Sequence, residues 1–250
     1  MVNIIVCIKR VPDTESKINI ASDGRSIDNA SLEYIVNPYD EFAVEEAIKT
    51  VEAQGGEVTV ICLGPKEATK EIRTCLAMGA DKAVHLVDDA PYRDAYSVAS
   101  ILSSAIKELE YDILFFGKQG VDYDNNQVGI MAATLLGIPA VGEVVSFELD
   151  NGKATVKREI EGGSEILQVP LPAAFTAQKG LNEPRYASLK GIMKAKKKPL
   201  EEKAFDSVDS RITIKNLEPP PKRPPGKMVG EGKAAAPELV RLLKEEAKIL

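Results

Sequence analysis

The sequence predicts an α/β fold built on a parallel sheet. Two observations carry that prediction: short apolar runs closed by charge or by glycine and proline, and stretches of helical spacing that alternate with them. A third adds detail. Beyond Pro139 the alternation gives way to short strands joined by turns, which read as added β-hairpins, and residues 201–250 form a C-terminal arm that ends in a helix.

Val2–Ile8 is an apolar run closed by Lys9 and reads as a buried strand. Asn37-Pro38 breaks the chain; Phe42, Ala43, Ala47, Ile48 and Val51 then recur at helical spacing until Gly55-Gly56 ends the helix. Residues 58–63 form a second strand, closed by Gly64-Pro65, and a helix over 66–78 stops at Gly79. Lys82–Val87 is a third strand. Val98, Ile101, Leu102, Ala105, Ile106 and Leu109 mark the next helix, 113–116 a fourth strand and 126–136 another helix. Strands this apolar need both faces covered, which implies a parallel sheet between helices.

Residues 144–149, 154–159, 165–169 and Ala173–Ala177 read as the hairpin strands, with Asp150-Asn151-Gly152 as one turn. Farther on, 211–214 reads as a strand, and prolines at 219–221 and 224–225 stiffen the connection. Pro237 opens a helix with Leu239, Val240, Leu243 and Ala247 near one face, expected to dock on the main domain or on another subunit.

A net charge of -6 over 250 residues argues against a general nucleic-acid binder, which needs excess cations to displace phosphate counterions. Cys7, Cys62 and Cys75 are odd in number and lack metal-ligand spacing, so they read as small buried thiols in a reducing compartment. The apolar start reaches Lys9-Arg10 too early for a signal peptide, and no apolar stretch approaches the roughly 20 residues that span a bilayer. A cytoplasmic protein without direct membrane insertion is the expectation.

The stretch 117–129 follows a predicted strand and opens a helix. In a parallel sheet, ligands sit beyond the strand carboxyl ends where the winding reverses, and free N–H groups at a helix start suit a phosphate. Gly117 and Gly120 permit close backbone approach. Asp122, Asp124 and Asn126 can cap the helix or meet ribose hydroxyls. Position and composition leave two readings open, a Rossmann-like nucleotide-binding loop or a polar capping loop without ligand.

Other motifs fail. Asp122-x-Asp124-x-Asn126 starts like a calcium loop, but Gln127 stands where glycine is needed and Ala133 where glutamate is needed. No Gly-Lys pair precedes Ser or Thr, so there is no Walker-type phosphate loop. Gly230-x-Gly232-x-x-Ala235 has no strand before it. The single histidine, His85, lies in a predicted strand and reads as structural, so no catalytic or metal site is assigned. Lysines 190, 194, 196, 197 and 198 surround Leu189 and Met193. They read either as a solvated basic face or as a docking surface, an apolar anchor ringed by charge.

Residues 181–189, Leu-Asn-Glu-Pro-Arg-Tyr-Ala-Ser-Leu, followed by Ile192-Met193-Lys194-Ala195-Lys196-Lys197-Lys198, resemble the signature of electron-transfer flavoprotein beta (small) subunits. Lys9-Arg10-Val11, Asn37-Pro38-Tyr39, Ile72-Arg73-Thr74, residues 77–81, Gly117-Lys118-Gln119 and residues 158–163 fall in the family's order. The likeness spans nearly the whole chain and is weakest over 88–94 and beyond Glu201.

The resemblance implies a non-enzymatic electron carrier, one half of a heterodimer whose larger alpha subunit holds most of the redox FAD. It would take electrons from acyl-CoA dehydrogenase-type donors, the chemistry of fatty acid β-oxidation, and pass them to a quinone reductase. Residues 1–200 would form the α/β domain with a buried structural AMP and a recognition loop near 181–198; residues 201–250 would dock on the partner subunit.

By likeness AMP would be held by Cys7, Asn37, Pro38, Tyr39, Asp40 and Leu63, and by the loop residues Gly117, Lys118, Gln119, Gly120, Val121, Asp122, Tyr123, Asp124, Asn125, Asn126, Gln127 and Val128. Tyr39 would also face the flavin. Leu189 would anchor the recognition loop in the donor, with Met193 beside it, and Glu159 would pair across to the mobile flavin domain.

Bifurcating relatives place a second FAD where others place AMP. They resemble Asp-Gly-Asp-Thr-Ala-Gln-Val-Gly where this chain has Asp122-Tyr123-Asp124-Asn125-Asn126-Gln127-Val128-Gly129. Tyr123 and Asn126 add bulk that favours AMP, Val128 follows the bifurcating class, and Thr14 replaces a tyrosine of some AMP-class members. Competing readings are a nucleotide-hydrolysing or nucleotide-activating enzyme and a homodimeric nucleotide-sensing stress protein.

Overall fold

Alternating apolar strands and helices build a nine-stranded sheet in the computed structural model, which describes residues 1–223 and 225–250. Strand β1 (Val2–Ile8) lies at its heart, almost wholly buried. A small antiparallel ribbon follows, β2 (Arg10–Pro12) with β3 (Tyr34–Val36), which the sequence had not marked. Helix α1 (Pro38–Gln54) has proline in its first turn with Asp40 and Glu41, which suit the positive helix end. Then come β4 (Gly56–Gly64), α2 (Thr69–Met78) and β5 (Lys82–Val87). Asp94 caps α3 (Ala95–Ile106), accepting the Ser97 N–H at 2.8 Å. Strand β6 (Ile113–Gly117) leads to α4 (Val128–Leu136).

The helix expected from residue 126 starts two residues later, because Asn126 adopts φ 49° and so lies outside it. Strands β7 (Ala140–Asp150), β8 (Lys153–Ile160) and β9 (Gly163–Pro170) form an antiparallel meander. The hairpin expectation fails for β10 (Ala173–Ala177). It runs parallel between β6 and β7, every residue buried, because its apolar side chains fill the sheet interior.

Helix α5 (Leu189–Ala195) precedes β11 (Leu200–Lys203), an edge strand parallel to β5. The strand expected over 211–214 does not form. The Arg211 and Ile212 N–H groups instead donate to Asp94, at 2.6 and 3.0 Å, and Arg211 stacks on Tyr96.

The sheet order is β11-β5-β4-β1-β6-β10-β7-β8-β9, parallel from β11 to β7. Helices α1 and α2 cover one face, whose core includes Ala43, Ile48, Ile72 and Leu76. Helices α3 and α4 cover the other, with Ile101, Leu102, Ala132 and Ala133. Phe115, Phe147 and Phe175 interlock, with centroids 5.2 Å apart for Phe115–Phe147 and Phe147–Phe175.

This unit runs from Met1 to Leu217. A second, Glu218–Leu250, contains α6 (Ala236–Glu245), along which Arg241 bridges Glu238 at 2.7 Å and Glu245 at 2.6 Å. Pro224, one of the prolines assigned to a stiff connection, lies outside the described residues. Among the described residues no helix is long and apolar enough to cross a membrane. Phe175→Ala should empty the aromatic cluster and cost about 3–5 kcal/mol, read as a lower urea midpoint at unchanged slope.

Candidate functional site

The chain winds from β1 through β4 to β5 with α1 and α2 on one face, and α3 then returns it across the opposite face to β6. This reversal opens a crevice beyond the carboxyl ends of β1, β4 and β6. The cleft there encloses about 850 Å³, its open mouth included, and is lined by Cys7 and Ile8 of β1, Leu63 of β4, and Phe116 and Gly117 of β6.

Asp40 ties these elements together. Its carboxylate accepts the Lys9 N–H at 2.6 Å, the Gly117 N–H at 3.0 Å and the Asn37 side-chain amide at 2.9 Å. One buried group thus joins the ends of β1 and β6 to the first turn of α1. Residue 117 must be glycine, since a Cβ there would lie 2.2 Å from Asp40 Oδ1. Asn37 extends the junction: its amide also donates to the Gln119 carbonyl at 2.9 Å, and its oxygen accepts the Val121 N–H at 3.1 Å. Loop 117–121 is therefore fixed from beneath.

One wall of the cleft is apolar, formed by Ala95, Val98 and Leu102 along one face of α3, together with Phe116. The polar lining includes Lys118, Gln119, Asn125, Asn126 and Gln127. Helix α4 opens here with no side-chain cap, so its first N–H groups have no partner within the helix. The capping role considered for Asp122, Asp124 and Asn126 is thus not the one they take. Asp122 pairs with Lys9 Nζ at 2.6 Å, Asp124 accepts the Gln119 amide at 2.6 Å, and Asn126 donates to Glu143 at 3.1 Å. Tyr123 stands half-exposed at the mouth, edge-on to Tyr92 and 5.0 Å from Lys9 Nζ.

The cleft gathers Cys7, Asn37, Asp40, Leu63, Gly117, Lys118, Gln119, Gly120, Asp122, Tyr123, Asn125, Asn126, Gln127 and Val128. Pro38, Tyr39, Val121 and Asp124 do not line it. Pro38 and Tyr39 open α1, with Lys118 Nζ 5.7 Å from the Tyr39 ring centroid, while Val121 and Asp124 serve loop hydrogen bonds. Sequence reasoning missed Lys9, Arg93 and the α3 wall. The signal was there: Asp94 marks a helix start, and 95, 98 and 102 share one face. Arg93 turns its guanidinium to Asp88 and to the Val208 carbonyl at 2.9 Å, so residues near 208 brace that wall.

All three cysteines are buried and free. Burial pushes the Cys62 thiol up to about 12 and that of Cys7 higher still, so the Cys7 that lines the cleft is no nucleophile. His85 is buried, its Nε2 3.1 Å from the Gly64 carbonyl. Among the described residues no group of three or more His, Cys, Asp or Glu side chains could hold a metal ion.

A second surface lies on the other sheet face, where α5 packs on α2. Tyr186, Leu189 and Met193 protrude, 98%, 83% and 72% exposed. Lys190, Lys194, Lys196 and Lys197, all exposed, neighbour them along the chain. Lys198 leaves the basic cluster. Its amine donates to the carbonyls of Leu76, Gly79 and Ala80 at 3.0, 3.2 and 2.6 Å, and burial holds its pKa below the ordinary lysine value. Glu159 is exposed on β8.

Residues 25–208 match the family model described as the electron transfer flavoprotein domain. The chain is 43% identical over 258 residues to the electron transfer flavoprotein subunit beta of Bacillus subtilis (strain 168), which covers 99% of this chain and 100% of that protein. It is 39% identical over 254 residues to the mitochondrial subunit beta of Arabidopsis thaliana, with 99% of both chains covered. The subunit beta of Mus musculus is 39% identical over 255 residues, with 98% of both covered.

Burial pushes the Asp40 carboxyl up to about 7, against the pull of its Asn37, Lys9 and Gly117 donors. The folded chain then keeps this proton to higher pH than the unfolded chain. Asp40's contribution is fully present below the ordinary value of 3.8 and is lost as pH rises toward about 7. Asp40→Asn should therefore destabilise more at about pH 5 than at about pH 8, by roughly 1–3 kcal/mol at the lower pH in urea unfolding. The reverse order would mean that the three donors outweigh burial.

Proposed function

Because the chain belongs to the electron transfer flavoprotein family, among its beta subunits, we propose that it is the small half of a heterodimer that carries electrons and is not itself a catalyst. A larger alpha subunit holds most of the redox FAD. Electrons come from acyl-CoA dehydrogenase-type donors and leave to a quinone reductase. The FAD supplies the redox chemistry, and this chain supplies position and electrostatics.

The observation that carries the reading is the two-sided cleft. Its apolar lining of Ala95, Val98, Leu102 and Phe116 suits a purine ring, and its polar lining suits an anion, with Lys118 and the uncapped start of α4. These residues fit AMP. Lys118, Gln127 and the α4 N–H groups would hold the phosphate end, with no redox role. A ligand bound only to the folded state stabilises it. Asn126 supports AMP over a second FAD, because its amide is committed to Glu143 and its bulk is fixed at the wall. Tyr39, beside the cleft at the start of α1, faces the flavin, and Glu159 pairs with the flavin-bearing domain. The lysine-flanked apolar group Tyr186, Leu189 and Met193 is the docking surface for the donor; because residues 201–212 pack on the main unit, it is the part of 201–250 beyond Leu217 that docks on the alpha subunit. The expected compartment is the cytoplasm.

Acid extraction of nucleotides from the purified heterodimer tests the cleft. One FAD and one AMP per dimer are expected. Two FAD would replace this reading with the bifurcating one, and a dimer carrying FAD alone would leave the cleft without its ligand. Leu189→Ala should raise the KM for the heterodimer in donor turnover by about tenfold at unchanged AMP content, as loss of an apolar anchor does.

A further inference from the structure

We propose that Arg185 is a positioning residue that sets the docking segment in its partner-ready geometry before any partner arrives. This rests on the docking reading of Tyr186, Leu189 and Met193. The occupant it fits is a donor surface with an apolar socket rimmed by carboxylates, the complement of an apolar anchor among lysines.

An exposed segment cannot be ordered by its own burial, and fixing it costs backbone and side-chain entropy. Yet this segment is fastened at both ends. At the near end the Arg185 guanidinium makes two forked pairs: to Glu45 at 2.8 and 3.0 Å, and to Glu52 at 2.7 and 2.9 Å. Both carboxylates lie on α1, two turns apart on one face. The Arg185 backbone N–H also donates to Glu45 at 3.1 Å. Asn182 adds its amide to the Phe42 carbonyl at 3.0 Å and to Glu46 at 2.8 Å. Glu45 is nearly buried. A single exposed ion pair contributes little, but two forked pairs from one guanidinium, one of them to the buried Glu45 carboxylate, impose direction as well as attraction.

At the far end α2 and α5 exchange cations. Lys198 closes the carbonyl end of α2, and Arg73 of α2 donates to the Ala195 and Lys198 carbonyls at 2.5 and 2.8 Å. Between the two fastenings, Gly191 sits so near Ala77 that a Cβ would come within 2.4 Å of its carbonyl oxygen. Tyr186, Leu189 and Met193 project from between these fixed points. The entropy of ordering them is then met in the free protein, and docking does not bear it.

The test uses the complete heterodimer carrying Arg185→Lys, Arg185→Ala or Leu189→Ala. Lysine keeps the charge but lacks the fork. Amide hydrogen exchange over residues 186–196 should quicken by about tenfold or more in both Arg185 variants. With an acyl-CoA dehydrogenase as donor, KM for the heterodimer should rise about tenfold while kcat and nucleotide content hold, since preorganisation acts on association. Unchanged exchange overturns the proposal. So does faster exchange at unchanged KM while Leu189→Ala raises KM, because the segment then docks without needing prior order. If no variant moves KM, the docking reading itself fails and the proposal falls with it; the Leu189 variant tells the two failures apart. Should Arg185→Ala not accumulate, Glu52→Gln loosens only the outer fork and must show the same changes, smaller in size.

Discussion

One buried carboxylate sets the geometry of the cleft. Asp40, in the first turn of α1, occupies the junction where β1, β6 and α1 meet, and it takes donors from the ends of both strands and from Asn37 just before the helix. The backbone groups at strand ends have no ladder partner, and a buried one left unpaired is costly. Asp40 satisfies two of them, and a side chain from the loop between β3 and α1 adds the third donor. The positions of residues 117–121 follow from this, because Asn37 bridges Asp40 to the next loop. The cleft floor is thus held by hydrogen bonds within the main chain's reach, beneath a rim of polar side chains that pair with one another.

The two candidate surfaces are held by different physics. The cleft depends on burial: a buried junction, a glycine where no Cβ fits, and an apolar helix face. The segment around Leu189 depends on charge placed at helix ends and on forked ion pairs along α1. The sheet separates them. Helices α3 and α4 frame the cleft on one face, while α1 and α2 carry the protruding segment on the other. The protruding segment and the cleft are therefore built on separate faces of one sheet.

Much of this was legible in the sequence. The strands from Val2–Ile8 to Lys82–Val87 are short apolar runs with strong punctuation, and each forms a strand of the sheet. The loop over 117–129 was legible as a position, since it follows a strand and precedes a helix. Pairing was not legible. Ala173–Ala177 reads only as buried, and its neighbours are fixed by contacts distant in sequence. Leu200–Lys203 has the wrong composition for a strand and joins the sheet through backbone bonds at an edge. The α3 wall was missed because it belongs to the preceding β-α unit, which no local motif connects to the loop. Lys198 counts as surface charge in any local reading; only the folded chain brings the α2 carbonyls to it.

The place of β10 between β6 and β7 bears on how the molecule emerges from the ribosome. Both neighbours are made before it, and neither pairs with the other. Until residue 177 is out, β6 and β7 each present a bare edge, and the antiparallel meander hangs beside a gap. Such edges invite pairing with other chains, and the contacts that close the gap are non-local and slow to form. The nascent polypeptide therefore passes through a stage in which a single five-residue insertion, arriving late, converts two adhesive borders into the middle of a finished sheet.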